Sequence, residues 1–191
     1  MIVNLVTTGP LQEPLDLAQA KAHLRVDSED ENALISGLIT TARQMVETFT
    51  GRVLMRQERD VILPGFTDPM RLGAPLASVT SITYVDADGA TQTLAPTEYL
   101  VIAPTAQPEP AGFVTLAYDK SWPTTREQVN AVTIRAALGY ATPDAVPASL
   151  RAAVLLLIGD LYENREAQSD ALLSENRTLQ RLLSPWVVSW L

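Results

Sequence analysis

Apolar residues fall at helical spacing near the start of the chain, at strand spacing through its middle, and at helical spacing again toward its close. In the first helical stretch, Asp16 to Leu24, Leu17, Ala20 and Leu24 share a face and Asp16 stands at the N-cap position. The second runs from the acidic "VDSEDEN" to Gly51. Leu34, Leu38, Met45 and Phe49, with Ile35, Ile39, Ala42 and Val46, give it a broad apolar face. Ser28 and Glu31 have capping-box spacing, the acids there complement the helix dipole, and Gly51 supplies a stop.

The period changes at Arg52. From there to about Val146 the chain holds most of its prolines, and β-branched runs alternate with turns. "VLMRQERDVIL" predicts one long strand, and "SVTSITYVDADGATQTL" predicts a hairpin turning at Asp86 to Gly89. "EYLVIA", "GFVTLAYD" and "AVTIRAALGY" predict three more strands, and strands this short and close imply a small antiparallel sandwich or barrel.

Helical spacing returns with Pro147 at a first-turn position. Residues Ala152 to Ile158 are apolar almost all round, which predicts a buried helix. Residues 175 to 183 predict one more short helix, with Leu179, Leu182 and Leu183 on one side and Pro185 at its end. The fold class that follows is α+β. A helical core made of residues 1–51 and 147–191 carries an inserted antiparallel β module, residues 52–146.

Composition and charge narrow the function. The chain is 47% hydrophobic and 19% charged, enough apolar material for a core. With 14 Lys and Arg against 22 Asp and Glu, the net charge is −8, and the three segments carry −4, −3 and −1 in order. No segment offers the clustered cations that gripping nucleic acid requires. The absence of Cys and the single His23 exclude a disulfide framework and any zinc site built on Cys or several His. The longest apolar run, Ala152 to Gly159, is too short to span a bilayer, and "MIVNLVTTGP" lacks the basic and apolar regions of a secretory signal. A soluble protein made in the cytosol, with no membrane partner, is expected.

Templates for chemistry fail in turn. "DADG" begins like a calcium loop, but its sixth and twelfth positions are Thr91 and Thr97. Asp27, Glu29, Asp30 and Glu31 enter a helix, where acids ordinarily answer the dipole. There is no phosphate loop and no nucleophile elbow. No catalytic, cofactor or metal residue is assigned. A carboxylate-dependent hydrolase stays open as an alternative, because paired acids can meet through the fold. So does a stand-alone β-sandwich binding module with helical flanks, which would expose aromatics among Tyr84, Tyr99, Phe113, Tyr118 and Trp122.

The ordered set "PLDLAQAKAHLRVD", "DENALISGLITTARQMVETFTGRVLMRQ", "PLASVTSITYVDADG" and "VPASLRAAVLLLIGDLYENRE" resembles the head–tail connector, or adaptor, proteins of long-tailed bacteriophages and of phage-derived gene transfer agents. The likeness spans roughly Pro14 to Glu166, and its most telling pieces are "TGR" and "LYENRE". It implies a structural part rather than an enzyme. Such a part forms a homo-oligomeric ring, twelve-fold to match a portal protein, at the head–tail junction. The ring extends the DNA channel and is the platform for the next neck component, a stopper or tail terminator. Double-stranded DNA passes through without specific binding, which suits the acidic balance.

Two surfaces follow as expectations. Asp160, Tyr162, Glu163, Asn164, Arg165 and Glu166, directly after the buried helix, form a polar surface toward a neighbouring subunit. The apolar peptide "SPWVVSWL", with Trp186, Val187, Val188, Trp190 and Leu191, is either packed on the chain's own core or docked on the portal. Pro185 breaks the helix before it, and Trp is a common interface anchor, so docking is the expectation.

Overall fold

The computed structural model describes residues 3–164 and 177–188. Its elements run β1 (Val3–Thr8), α1 (Leu17–Leu24), α2 (Asn32–Thr50), β2 (Gln57–Leu63), β3 (Met70–Gly73), β4 (Leu76–Val85), β5 (Thr91–Thr93), β6 (Tyr99–Ile102), β7 (Gly112–Leu116), β8 (Val132–Leu138), α3 (Ala148–Glu163) and α4 (Arg177–Leu183). The α+β class read from periodicity is the one observed. The chain forms two compact units. The helical unit comprises Gln12–Met55 with the described part of Tyr140–Val188; the β unit comprises Arg56–Gly139 with the described residues up to Leu11.

This division differs from the expected 1–51, 52–146 and 147–191 mainly at the start, where β1 joins the β unit by pairing antiparallel with β2 from Val3↔Ile62 to Thr8↔Glu58. "VNLVTT" is uncharged and rich in β-branched residues, so it suits a strand, but only its distant partner makes it one.

In the helical unit α1 starts as its sequence predicts. The Asp16 carboxylate accepts from the Gln19 N–H at 2.7 Å, and Gln19 Oε1 accepts from the Asp16 N–H at 3.0 Å. The box expected at Ser28 and Glu31 does not form. Ser28 Oγ instead accepts from the Asp30 N–H and donates to its carboxylate, and α2 begins at Asn32 with no side-chain cap. Short hydroxyl side chains satisfy local turns as readily as helix ends. Gly51 closes α2 at φ 68°, a left-handed conformation that costs a glycine little. Ile35, Ile39, Ala42 and Val46 are buried against Leu150, Ala153, Val154, Leu157 and Ile158 of α3, while Leu34 and Phe49 remain exposed.

In the β unit, one sheet has strand order β1-β2-β8-β4-β5 and the other β3-β7-β6, all pairs antiparallel. Buried Val61, Ile134 and Ile82 stand side by side across β2, β8 and β4. The two sheets approach closely at Gly112 on β7, where an added Cβ would overlap Leu76 of β4. On the opposite face of the large sheet, Asp60 and Arg135 form a two-pronged pair at 2.8 and 2.9 Å. The β4–β5 turn is held by Asp86, whose carboxylate accepts from Gln92 Nε2 and from the N–H groups of Ala90 and Asp88. Those bonds, the one from Gln92 first, hold its pKa below the ordinary carboxylate value. The stretch that begins like a calcium loop is therefore a hairpin turn whose acid already has its donors.

Candidate functional site

The described residues of both surfaces singled out from the sequence lie on the helical unit. On α3 the structure separates the expected contact residues. Asp160, Glu163 and Asn164 are exposed. Asn164 ends the helix by donating its N–H to the Asp160 carbonyl at 2.9 Å and its side-chain amide to the Asp160 carboxylate at 3.0 Å. Tyr162 turns the other way. Half-buried against the core, it donates its hydroxyl to Glu31, next to the start of α2. Its hydroxyl is thereby engaged within the subunit. Asp27, Glu29 and Asp30 are exposed beside that contact. Arg165 and Glu166 lie outside the described residues.

The C-terminal peptide also differs from a free docking tail. Leu179 and Leu183 of α4 are buried in the helical core, and a short 3-10 turn over Ser184–Trp186 follows. Trp186 then packs on the core from the side. Its Nε1–H donates to Ser149 Oγ at 2.8 Å, and its ring lies 5.3 Å from the Arg52 guanidinium carbon. Arg52 Nε donates to the Trp186 carbonyl at 2.5 Å. Val188 is 7% exposed, and its N–H donates to the Thr50 carbonyl at 2.8 Å. Trp186 and Val188 are thus seated on their own subunit, where the cation–π contact and the hydrogen bonds favour the chain's core. Val187, 47% exposed, points outward. Trp190 and Leu191 lie outside the described residues.

This geometry gives "TGR" a role that periodicity did not reveal. Thr50 supplies the carbonyl that receives Val188, Gly51 turns the chain out of α2, and Arg52 lies under Trp186. The three residues form the seat of the tail.

A second anchor was missed from the sequence. Arg43 is 5% exposed on the core side of α2 and is gripped by two carboxylates. Its Nε meets Glu13 Oε2 at 2.6 Å and its Nη1 meets Glu47 Oε2 at 2.9 Å. Thr40 donates to Glu13 at 2.9 Å, and the Leu54 N–H donates to Glu47 at 2.8 Å. Burial alone would lower the Arg43 pKa; the bond to Glu13 and the charges of Glu47 and Glu13 outweigh it and raise the value above the ordinary one. Arg43 at i+4 from Ile39 and i−3 from Val46 was the available signal: a charge on an apolar helical face needs partners.

The two other function classes find little footing. A cleft of the helical unit, about 610 Å³, is lined by Glu13, Asp16 and Asp144 among others. Glu13 holds Arg43, Asp16 caps α1, and Asp144 pairs with Arg151, so each acid already has a structural role. Among the described residues there is no group of three or more His, Cys, Asp or Glu that could hold a metal ion. Of the aromatics in the β unit, Tyr118 is 97% exposed and Tyr99 is buried. Phe66 stacks on Trp122 at 4.8 Å and meets Tyr84 edge-on, so these rings pack on one another. No helix among the described residues is long and apolar enough to cross a membrane.

Comparison with known proteins adds two findings. Residues 14–84, from the turn before α1 through most of β4, match the family model of phage gp6-like head-tail connector proteins. No curated protein matches the chain. Among solved structures, a chain in the neck of an empty gene transfer agent (GTA) particle, computed with C6 symmetry, is 22% identical. Its TM-score is 0.79 over 99% of this chain and 97% of that one. A chain in the virion of a native GTA particle is 23% identical, with the same TM-score and coverage. A third, in the neck of a native GTA particle computed with C12 symmetry, is 22% identical over 97% of both chains, with a TM-score of 0.71. The resemblance read from the sequence is borne out: residues 14–84 match the connector model, and the chain shares its fold with GTA neck chains.

Proposed function

We propose that this chain is the head–tail connector of a phage-like particle, assembled as a ring beneath the portal protein. The ring extends the channel through which double-stranded DNA passes, and it is the platform for the next neck component, a stopper or tail terminator. The observation that carries this reading is the connector match over residues 14–84, which takes in α1, α2 and the "TGR" seat. The six- and twelve-fold neck structures that share the fold support an oligomeric ring, and twelve copies is the number proposed. A net charge of −8 suits a conduit that must not retain DNA.

Portal docking is assigned to Val187, which points outward, and to Trp190 and Leu191, with Trp186 and Val188 seated on the helical unit. The exposed groups Asp160, Glu163 and Asn164, with Arg165 and Glu166, are assigned to the neighbouring subunit. Native mass spectrometry of the purified protein, alone and with portal, tests the reading. A ring in either sample is the expected outcome. A chain that stays monomeric even with portal present would overturn it.

A further inference from the structure

We propose that copies of the chain join edge to edge through their β units, β6 of one copy adding alongside β1 of the next. The inference rests on the ring reading above. Both strands lie at the rim of a sheet, β1 beside β2 and β6 beside β7, so among the described residues each has one side of its main chain unpaired. Both also carry aliphatic side chains in the open. On β1, Leu5 and Val6 are 49% and 55% exposed; on β6, Leu100, Val101 and Ile102 are 51%, 37% and 38% exposed. Successive strand residues point to opposite faces, so each edge is apolar above and below as well as open along its rim.

Edge strands in soluble proteins are ordinarily guarded by charge, by proline or by a bulge that twists the edge away. These two lack the charge. Residues 1–12 and 99–108 contain no Asp, Glu, Lys or Arg. The irregularity in β1 falls between Val6 and Thr8, leaving Val3 to Val6 in regular register. The other two edges are unlike them. β5 is only Thr-Gln-Thr, and β3 is four residues with an exposed Arg71.

What occupies these edges follows from charge and symmetry. Copies with net charge −8 repel one another, and a contact made through carboxylates would have to desolvate them. The charge-free edges are where copies meet without that cost. A ring of identical subunits also needs two different, complementary surfaces on each copy. β1 and β6 form such a pair: each offers the main-chain groups the other lacks, and aliphatic side chains to cover them. Four residues of β6 lie within the length of six-residue β1.

The chain has no cysteine, so introduced thiols report this contact alone. The double variant Leu5→Cys/Val101→Cys, assembled alone or on portal and treated with a short bis-maleimide, should give a ladder of covalent oligomers. Each single variant should give none. Separately, Val101→Lys should lower the assembled fraction about ten-fold or more, because it buries an unpaired charge, with the monomer's melting temperature unchanged. An assembled ring of the double variant without a ladder, a ladder from one single variant, or undiminished assembly of Val101→Lys would overturn the edge pairing and leave the ring reading standing. Wild-type protein that forms no ring with portal would overturn both.

Discussion

Trp186 shows how one side chain can change its meaning between sequence and structure. By composition it belongs to an apolar tail suited to a partner; by contact it belongs to Arg52, Ser149 and the helical core. Its indole N–H is satisfied by Ser149 and its carbonyl by Arg52, both within the subunit. Removing the ring therefore exposes the Arg52 guanidinium and leaves Ser149 without that donor. Trp186→Ala should lower the unfolding free energy by about 2–4 kcal/mol, as truncation of a large, partly buried aromatic does, read by urea denaturation. An unchanged midpoint would mean the ring rests on the surface without contributing to it. Arg43 makes the same point for charge. Its place on an apolar helical face is visible in the sequence, whereas its partner Glu13, thirty residues earlier, is visible only in the fold.

At the scale of elements, the C-terminal segment has two parts with different work. Through Val188 it is a strap laid across the helical unit, fastened to Thr50 and Arg52. Beyond Val188, Trp190 and Leu191 are the residues proposed for portal docking. Two truncations separate these roles. Deleting residues 184–191 removes Trp186 and Val188 and should lower the melting temperature by roughly 10 °C, since each kcal/mol shifts a domain of this size by about 2–4 °C. Deleting only 189–191 should leave the melting temperature within about 2 °C and weaken portal pull-down. The docking expectation is thus narrowed: Trp186 and Val188 are already seated on their own subunit. A short deletion that retained full portal binding would remove Trp190 and Leu191 from the docking surface.

At the scale of the molecule, the distribution of charge bears on the proposed DNA channel. Neither end of the chain nor its middle is basic, and Arg43, Arg52 and Arg135, three of the cations, are engaged with Glu13, Trp186 and Asp60. Binding to duplex DNA at physiological salt should therefore be weak or absent by fluorescence anisotropy. Tight binding that falls steeply with added salt would reveal a cationic face and count against a passive channel.

The sequence by itself determined the fold class, α+β, and most of its elements. Periods of 3.6 and 2, capping at Asp16, the stop at Gly51 and the turn at Asp86 depend on residues close together in the chain, so local physics makes them legible. The ordered motifs carried the connector likeness for the same reason. Only the tertiary structure decided that β1 is a strand, that Tyr162 reaches Glu31 across 131 positions, and that Arg52 holds Trp186 across 134. Ser28 and Glu31 had the right spacing for a cap and made other bonds, because a serine hydroxyl can satisfy a turn and a carboxylate can find a distant hydroxyl. Contacts of this kind depend on where the backbone brings distant segments, and a linear pattern of apolar and polar positions does not encode that distance.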